Sequence, residues 1–271
     1  MSGRVRANAV IGVALVGLLL ATILLGFLWF PYDPLAIDLD HTLAAPSLSH
    51  WLGTDQFGRD VLSRAMLGAR ISALIAIETV AIAISLGTAL GLLAGFLRGW
   101  TERVLMTMSD AILAFPGILL ALALIAVMGS SSHSIVIALA IAYLPATIRV
   151  VRSATLSIRE REFIEASHVA GDRALYTVWR HVLPNALPPI LILATSLFGW
   201  VVLSESALSF LGVGVPPPAP TWGNMLADAR PYMGTANWLS IAPGLCIVAT
   251  LLGVNMLGDA IRDRLDPREG Q

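Results

Sequence analysis

Six apolar runs separated by more polar segments are the feature that most restricts the fold of this chain. Each run has about 17 residues or more, enough to cross a membrane as a helix, although the run at 135–151 is the shortest. The composition agrees, because 56% of residues are hydrophobic and 13% are charged, against roughly 45–50% and about 25% in soluble domains. The sequence predicts an all-α membrane protein with six transmembrane helices, at residues 9–30, 71–97, 104–128, 135–151, 187–211 and 238–257.

The arginine distribution indicates an orientation. The chain has 17 basic residues, all of them arginine. Thirteen fall on one side of the predicted membrane, which the positive-inside rule makes the cytoplasmic side. We therefore expect both termini to be cytoplasmic, and we expect the run at 9–30 to stay as a membrane helix, since it exceeds the 7–15 apolar residues of a signal peptide. The basic residues serve orientation, and no nucleic-acid surface is predicted.

A long polar loop at about 152–186 is predicted to be cytoplasmic and to form two short helices. The first helix would cover 160–170, with acidic residues in its first turn and Gly171 just after its end. The second would begin after Asp172 as N-cap and end at Pro184. Its apolar side chains recur at helical spacing and would lie on the membrane surface: Leu175, Val178, Trp179 and Val182.

The first of these helices would present one aromatic and several small side chains on one face, which lets another protein approach closely. These residues are Phe163, Ala166, Ser167 and Ala170. From the residues alone, a solvated loop along the lipid headgroups is an equal alternative.

The stretch EASHVAG at 165–171, followed by HVLP at 181–184, resembles the EAA motif of ABC-importer permeases. Ser167 replaces the motif's second alanine, and His181 stands at an aliphatic position. Longer segments are similar to one branch, the C-type permeases of the dipeptide, oligopeptide and nickel transport family. They are HWLGTDQFGRDVLSRAMLGARIS at 50–72, GFLRGWTERVLMTMSDAILAFPG at 95–117, LSFLGVGVPPPAPTWGNML at 208–226 and NMLGDAIRDRLDP at 255–267.

This resemblance implies a multi-pass protein of a bacterial or archaeal cytoplasmic membrane. It would be one permease half of an importer with a second, B-type permease chain, two ABC ATPase subunits or domains and an extracytoplasmic solute-binding protein. Short peptides are the implied cargo, with nickel or another small solute as the alternative. The loop helix would dock on an ATPase through Glu162, Phe163, Glu165, Ala166, Ser167, Ala170 and Gly171.

The resemblance also suggests a division of the chain. Residues 1–70 would hold the first membrane helix and an extracytoplasmic segment, and residues 71–271 the transport core. Within the first part, 53–70 is predicted as an amphipathic helix on the outer surface, with Asp60 paired to Arg64. This helix is either a structural elbow or a contact for the binding protein.

Three acids lie inside apolar runs, where ionisable groups are costly and usually face an interior or a cavity. Glu78 and Glu205 would lie roughly 10 Å below the outer boundary, and Asp110 lies nearer the cytoplasmic end, before a kink at Pro116. Each either packs between helices or contributes to the translocation path or gate. The proline-rich segment 212–222, with Pro216 and Trp222, either simply joins two helices or acts as a gate or docking element, and the family resemblance favours the second alternative.

Enzymatic chemistry and resident cofactors are not predicted for this chain. A Walker P-loop requires lysine, and the sequence has none, so ATP and Mg²⁺ would be bound by partner ATPases. The five histidines lack metal-ligand spacing. Two rivals remain: a proton-coupled secondary transporter that uses the three acids, and an intramembrane enzyme, for which no nucleophile and base are apparent.

Overall fold

The computed structural model of this chain describes residues 3–265, and within them the fold is helical. The side chains of 3–8, 168 and 264–265 are not described, and the last two residues of the 255–267 motif lie outside this range. The α-helices are α1 Gly3–Leu28, α2 Val61–Leu97, α3 Gly99–Leu113, α4 Gly117–Met128, α5 Ser132–Arg159, α6 Glu162–Val169, α7 Ala174–Thr177, α8 Leu183–Phe210, α9 Trp222–Ala229 and α10 Trp238–Leu265.

Five helical stretches of the described residues are long and apolar enough to cross a membrane: Ala9–Leu28, Val61–Leu97, Ser132–Arg159, Ala174–Phe210 and Trp238–Asp263. A sixth span results if α3 and α4 count as one, although they meet at 88°. The prediction of an all-α membrane protein is therefore confirmed, with five or six spans. We call the end of the bundle that carries α6 the α6 end, and the opposite end the α9 end.

The prediction of a surface helix at 53–70 is wrong. Residues before 61 form a turn, and α2 then runs without interruption to Leu97, across the proposed boundary at residue 70. Val61 and Ala65 are buried against α9 and α10 instead of lying on an outer surface. Asp60 does not pair with Arg64: it caps α2 by accepting from the backbone N–H of Ser63, at 2.8 Å, and contacts His50 Nδ1 at 2.9 Å.

The apolar run at 104–128 breaks sharply where the sequence predicted a kink. α3 ends at Leu113, and α4 begins directly after Pro116. A proline cannot donate to the preceding turn, and its ring clashes with a continuing helix, so the chain turns here by 88°.

Pro184 was predicted to end the second loop helix, and that prediction is wrong. The helical path continues from α7 through a π-helical turn, Val178–Val182, into α8. In this turn the N–H of Leu183 donates to the carbonyl of Val178, five residues earlier. Such a π-turn changes the hydrogen-bond register locally, and the missing N–H of Pro184 is thereby accommodated inside one long helix.

Helices α2 and α5 approach each other closely along a stripe of glycines. Three glycines at every fourth position of α2 lie on the face toward α5, where an added Cβ would come within 2.5–2.7 Å of α5 side-chain atoms. The opposing pairs are Gly87 with Thr147, Gly91 with Val151, and Gly95 with Thr155. Glycine at these positions therefore sets the distance between the two helices.

Candidate functional site

The loop helix predicted from the sequence is present as α6. It spans Glu162–Val169, slightly shorter than the predicted 160–170. Gly171 follows with a φ of +81°, the left-handed conformation that commonly terminates helices and that glycine adopts without strain. The predicted terminator role of Gly171 is confirmed.

Two buried side chains attach α6 to the bundle. Ile164 is 1% exposed and belongs to a cluster that includes Phe96 of α2, Val151 of α5 and Ile190 of α8. Ser167 is 6% exposed, and its hydroxyl donates to Asp172 Oδ2 at 2.7 Å. A buried, hydrogen-bonded residue on a short helix fixes the orientation of that helix.

These contacts correct two predictions. Ser167 does not lie on the open face of α6, because it is turned toward Asp172 and toward Thr177, 3.0 Å away. Asp172 is not the N-cap of the next helix: Arg173 occupies that position without a side-chain cap, since the carboxylate of Asp172 is bonded to Ser167. Serine at this position therefore holds the loop together.

The remaining predicted contact residues of α6 and its terminus are exposed: Glu162, Phe163, Glu165, Ala166, Ala170 and Gly171. Val169 was not predicted and is the most exposed large apolar side chain of this segment, at 85%. Helical periodicity could have found it, because Val169 follows Phe163 and Ala166 at spacings of three. The exposed surface is thus a small apolar patch bordered by carboxylates.

The end of α5 that carries α6 is braced by arginines. Arg152 pairs with Glu102 of α3, and Arg159 donates to the carbonyl of Phe96, at the end of α2, at 2.7 Å. Asp110 of α3 lies 2.5 Å from Nη2 of Arg149, also on α5. Asp110 therefore joins α3 to α5 through an exposed ion pair, and its assignment to the translocation path or gate stays a prediction.

The chain places Glu78 and Glu205 in different environments. Glu78 is exposed on α2. Glu205 of α8 is fully buried, which contradicts a position on an open path. Its carboxylate accepts from the hydroxyls of Ser209, at 2.7 Å, and Ser72 of α2, at 3.3 Å, so Glu205 links α8 to α2 through hydroxyl groups.

We expect Glu205→Leu to destabilise the protein and Glu205→Gln to be tolerated. Leucine leaves the hydroxyls of Ser72 and Ser209 without their acceptor, at about 1–3 kcal/mol for a buried polar group, whereas glutamine keeps an acceptor oxygen. Thermal unfolding in detergent measures the difference. Equal midpoints for the two variants would contradict this role.

Trp222 and Pro216 also differ from each other in position. Trp222, which begins α9, is 2% exposed and donates its Nε1–H to the carbonyl of Ala65 at 3.1 Å. That position makes Trp222 an anchor between α9 and α2, and its assignment to a gate stays a prediction. Pro216 is exposed and lines a cavity at the α9 end.

The described residues contain no group of three or more His, Cys, Asp or Glu arranged to hold a metal. The single cysteine, Cys246, lies in α10 and lines an apolar cleft between α1 and α10. The helices thus offer a packed membrane bundle and one exposed, firmly attached helix at its α6 end.

Comparison with known proteins bears on this arrangement. Residues 87–271 match the family described as "Binding-protein-dependent transport system inner membrane component". The dipeptide transport system permease protein DppC of Alkalihalophilus pseudofirmus is 44% identical over 83% of this chain and 74% of its own length. The glutathione transport system permease protein GsiD of Pectobacterium atrosepticum is 42% identical over 88% of this chain and 79% of its own.

A solved structure shares the fold at low sequence identity. A chain of the MetNI methionine ABC transporter, described as inward facing, superposes with a TM-score of 0.61 at 19% identity, over 73% of this chain and 94% of that one. The resemblance predicted from the EAA-like segment is confirmed by the family match and the relatives. This chain belongs to the family of binding-protein-dependent transport system inner membrane components, the multi-pass permease subunits of ABC importers.

Proposed function

We propose that this chain is a permease subunit of an ATP-driven, binding-protein-dependent importer whose cargo is a di- or oligopeptide. The observation that carries the proposal is α6, a short helix with an exposed face and a buried attachment to three long helices. The names of the relatives, which refer to dipeptide and glutathione transport, support peptides as the cargo.

The proposed complex contains four kinds of parts. A second, B-type permease completes the translocation path, and two ABC ATPases at the α6 end bind ATP and Mg²⁺. A solute-binding protein delivers cargo at the α9 end. This arrangement makes the α6 end cytoplasmic and, because α1 begins and α10 ends there, places both termini in the cytoplasm, as the arginine bias supports.

The α6 helix would transmit ATPase movement to the membrane helices. Its exposed patch of Phe163, Ala166 and Val169 offers apolar area to a partner, and Glu162 and Glu165 offer charge. Ile164 and Ser167 are buried on the opposite face of α6 and attach it to the rest of the protein. Because packed interfaces rearrange between discrete states, a displacement of α6 would move the attached helices as a rigid body.

Glu78 is the intramembrane acid that we assign to the translocation path. Its side chain is exposed on a membrane helix, where a carboxylate in contact with lipid is costly. A path formed with the second permease would supply water or a cationic group of the cargo.

Co-purification and energy dependence test this function. We expect two ABC ATPases and a second permease to be recovered with the tagged chain from gently solubilised membranes. Peptide uptake by proteoliposomes containing the complex and a binding protein should require ATP and survive collapse of the proton gradient. Uptake that follows the proton gradient without ATP would favour the secondary-transporter alternative, and uptake of nickel in place of peptides would correct the cargo.

A further inference from the structure

A groove of about 380 Å³ lies at the α6 end, between the last turns of α2 and the segment that follows α6. Its second wall is formed by α7 and the π-helical turn after it, and we call it the α2–α7 groove. The walls belong to two membrane spans, Val61–Leu97 and Ala174–Phe210, at the ends where these spans meet the membrane surface. All the lining side chains are apolar, among them Leu93, Phe96, Leu97, Leu175, Val178 and Trp179.

The described part of the chain leaves this groove open. Leu175 is 70% exposed and Trp179 is 64% exposed, and Leu93 and Leu97 on the α2 wall are exposed as well. A lining without polar side chains offers no side-chain hydrogen bonds, whereas protein interfaces carry about one hydrogen bond per 100–200 Å². Contacts between membrane helices favour small residues, whereas these residues are large. A hydrocarbon chain is the occupant that this lining fits.

Three arginines border the groove. Arg98 ends the α2 wall, and Arg173 and Arg180 border the α7 wall, each next in sequence to a lining residue. All three are exposed, and none of them forms an ion pair or a side-chain hydrogen bond with another described residue. Their guanidinium groups are therefore available to a ligand that lies in the groove.

The acids closest to these arginines in the sequence are engaged elsewhere. Glu102 of α3 pairs with Arg152 of α5, and Asp172 accepts a hydrogen bond from Ser167. The border of the groove thus carries positive charge, next to a lining that carries none. A ligand that combines a hydrocarbon chain with an anionic group matches both parts.

Arg98 stands at a position where the backbone favours glycine. Its φ is +56° and its ψ is −160°, a conformation that strains a residue with a side chain. The role of Arg98 as C-cap of α2 uses its backbone N–H, which donates to the carbonyl of Ala94, and any residue other than proline could supply that group. The backbone therefore does not explain an arginine here, whereas a need for positive charge does.

We propose that the α2–α7 groove binds an anionic phospholipid of the cytoplasmic leaflet. An acyl chain lies along the apolar lining, and the phosphate is held by Arg98 and Arg173. Arginine binds phosphate through paired N–H groups, and the cytoplasmic leaflet supplies the anionic lipids. The choice of leaflet rests on the orientation proposed above, and the ligand class is independent of the cargo.

Trp179 lines the groove and can report its occupant. The assembled complex is placed in nanodiscs of equal parts phosphatidylglycerol and phosphatidylcholine, with brominated acyl chains, which quench tryptophan on contact, on one lipid or the other. The Trp179 signal is the difference between this complex and a Trp179→Phe complex. We expect brominated phosphatidylglycerol to quench it at least about fivefold more effectively, the factor that one arginine contributes near an anionic lipid.

Two results would overturn the proposal. Equal quenching by the two lipids would show that Trp179 meets ordinary bilayer lipid without selection. Quenching by neither would show that a protein, such as the second permease, covers the groove. Both leaflets of a nanodisc have the same composition, so the result does not depend on the orientation of the chain.

Arg98→Gly should lower the preference for phosphatidylglycerol about fivefold. The thermal midpoint should not fall, because glycine adopts a φ of +56° without strain, so a lost preference cannot be attributed to misfolding. Arg262→Ala is the control, since it removes the same charge at an exposed position of α10 near the α6 end. An unchanged preference in Arg98→Gly, or an equal loss in Arg262→Ala, would contradict the site.

A second pair of variants tests the groove apart from the charge. Ala89 is exposed and lines the groove, so Ala89→Phe fills it, keeps all three arginines, and should abolish the preference. Ala14→Phe makes the same change at an exposed position of α1 and should leave the preference intact. A preference that persists in Ala89→Phe would show that surface charge alone attracts the lipid, and the groove would be rejected.

Failure of this site and failure of the proposed function are separable, because the fluorescence measurement needs neither ATP nor peptide. ATP-dependent uptake of trialanine by the unmodified complex tests the function without reference to the groove. If uptake occurs while the two lipids quench equally, only the lipid site is rejected. If no peptide is taken up while the preference depends on Arg98, the cargo assignment is rejected and the lipid site stands.

Discussion

Gly87→Ala is expected to destabilise the protein by about 3 kcal/mol, the upper part of the usual range for overpacking in a core. A Cβ at this position would lie 2.5 Å from Cβ and Cγ2 of Thr147 on α5, far inside van der Waals contact. The two helix backbones would have to separate, and the neighbouring contacts at Gly91 and Gly95 would loosen with them. Thermal unfolding of the detergent-solubilised protein measures the loss.

Two further variants distinguish this clash from a general effect of alanine. Gly17→Ala, on α1, is the matched control, because no atom lies within 4 Å of its added Cβ. It should change the unfolding free energy by less than about 1 kcal/mol, the difference in helix propensity. Thr147→Gly removes both close atoms and leaves the nearest contact of the new Cβ at 3.5 Å, so Gly87→Ala combined with Thr147→Gly should recover part of the lost stability. No recovery would show that the clash lies elsewhere.

The spans were predictable from the sequence because their signal is local. About 20 apolar residues in a row satisfy the only condition that a membrane sets on a single helix. The long helices α2 and α8 were mispredicted at their ends for a different reason. In the sequence, Val61 and Ala65 have the spacing of one face of a surface helix, and only the fold shows that α9 and α10 cover them. Pro184 has the position of a helix terminator, but a π-helical turn before it lets the helix continue.

The candidate site shows the same division between local and tertiary information. Gly171 was identified correctly because helix termination depends on backbone conformation at one residue. Ser167 was placed on the wrong side because its orientation depends on Asp172 and Thr177, which a turn brings back against it. Glu205 was assigned to a path because nothing in the sequence identifies Ser72 as its partner. The hydrogen bond of Trp222 to Ala65 was missed for the same reason.

The structure makes α6 suitable for transmitting force in a way that exposure alone would not. Ile164 belongs to a buried cluster that also contains residues of α2, α5 and α8, so a load applied to α6 reaches these three membrane helices through one packed cluster. Arg152 and Arg159 tie the adjoining part of α5 to α3 and to the end of α2. A partner that binds the open face of α6 therefore moves α6 together with the helices attached to it. A mobile loop would change its own conformation and leave the membrane helices in place.

Glu165→Arg is accordingly expected to reduce peptide uptake and peptide-stimulated ATP hydrolysis by tenfold or more, equivalent to about 1.4 kcal/mol of coupling. Glu165 is exposed in the first turn of α6, so the reversal changes the surface offered to the ATPase and leaves the buried contacts of Ile164 and Ser167 intact. Proteoliposomes of the assembled complex give both rates from one preparation.

The control for this experiment is Asp259→Arg. It makes an equal change of charge at an exposed position of α10, near the α6 end of the bundle. It adds the same positive charge to the α6 end and should leave both rates within about twofold of the unmodified complex, since exposed charges affect stability and distant sites weakly. Recovery of the Glu165→Arg chain in membranes should be normal, because no core contact is altered. Full coupling in this variant, or equal losses in both variants, would show that the exposed face of α6 does not transmit the ATPase movement.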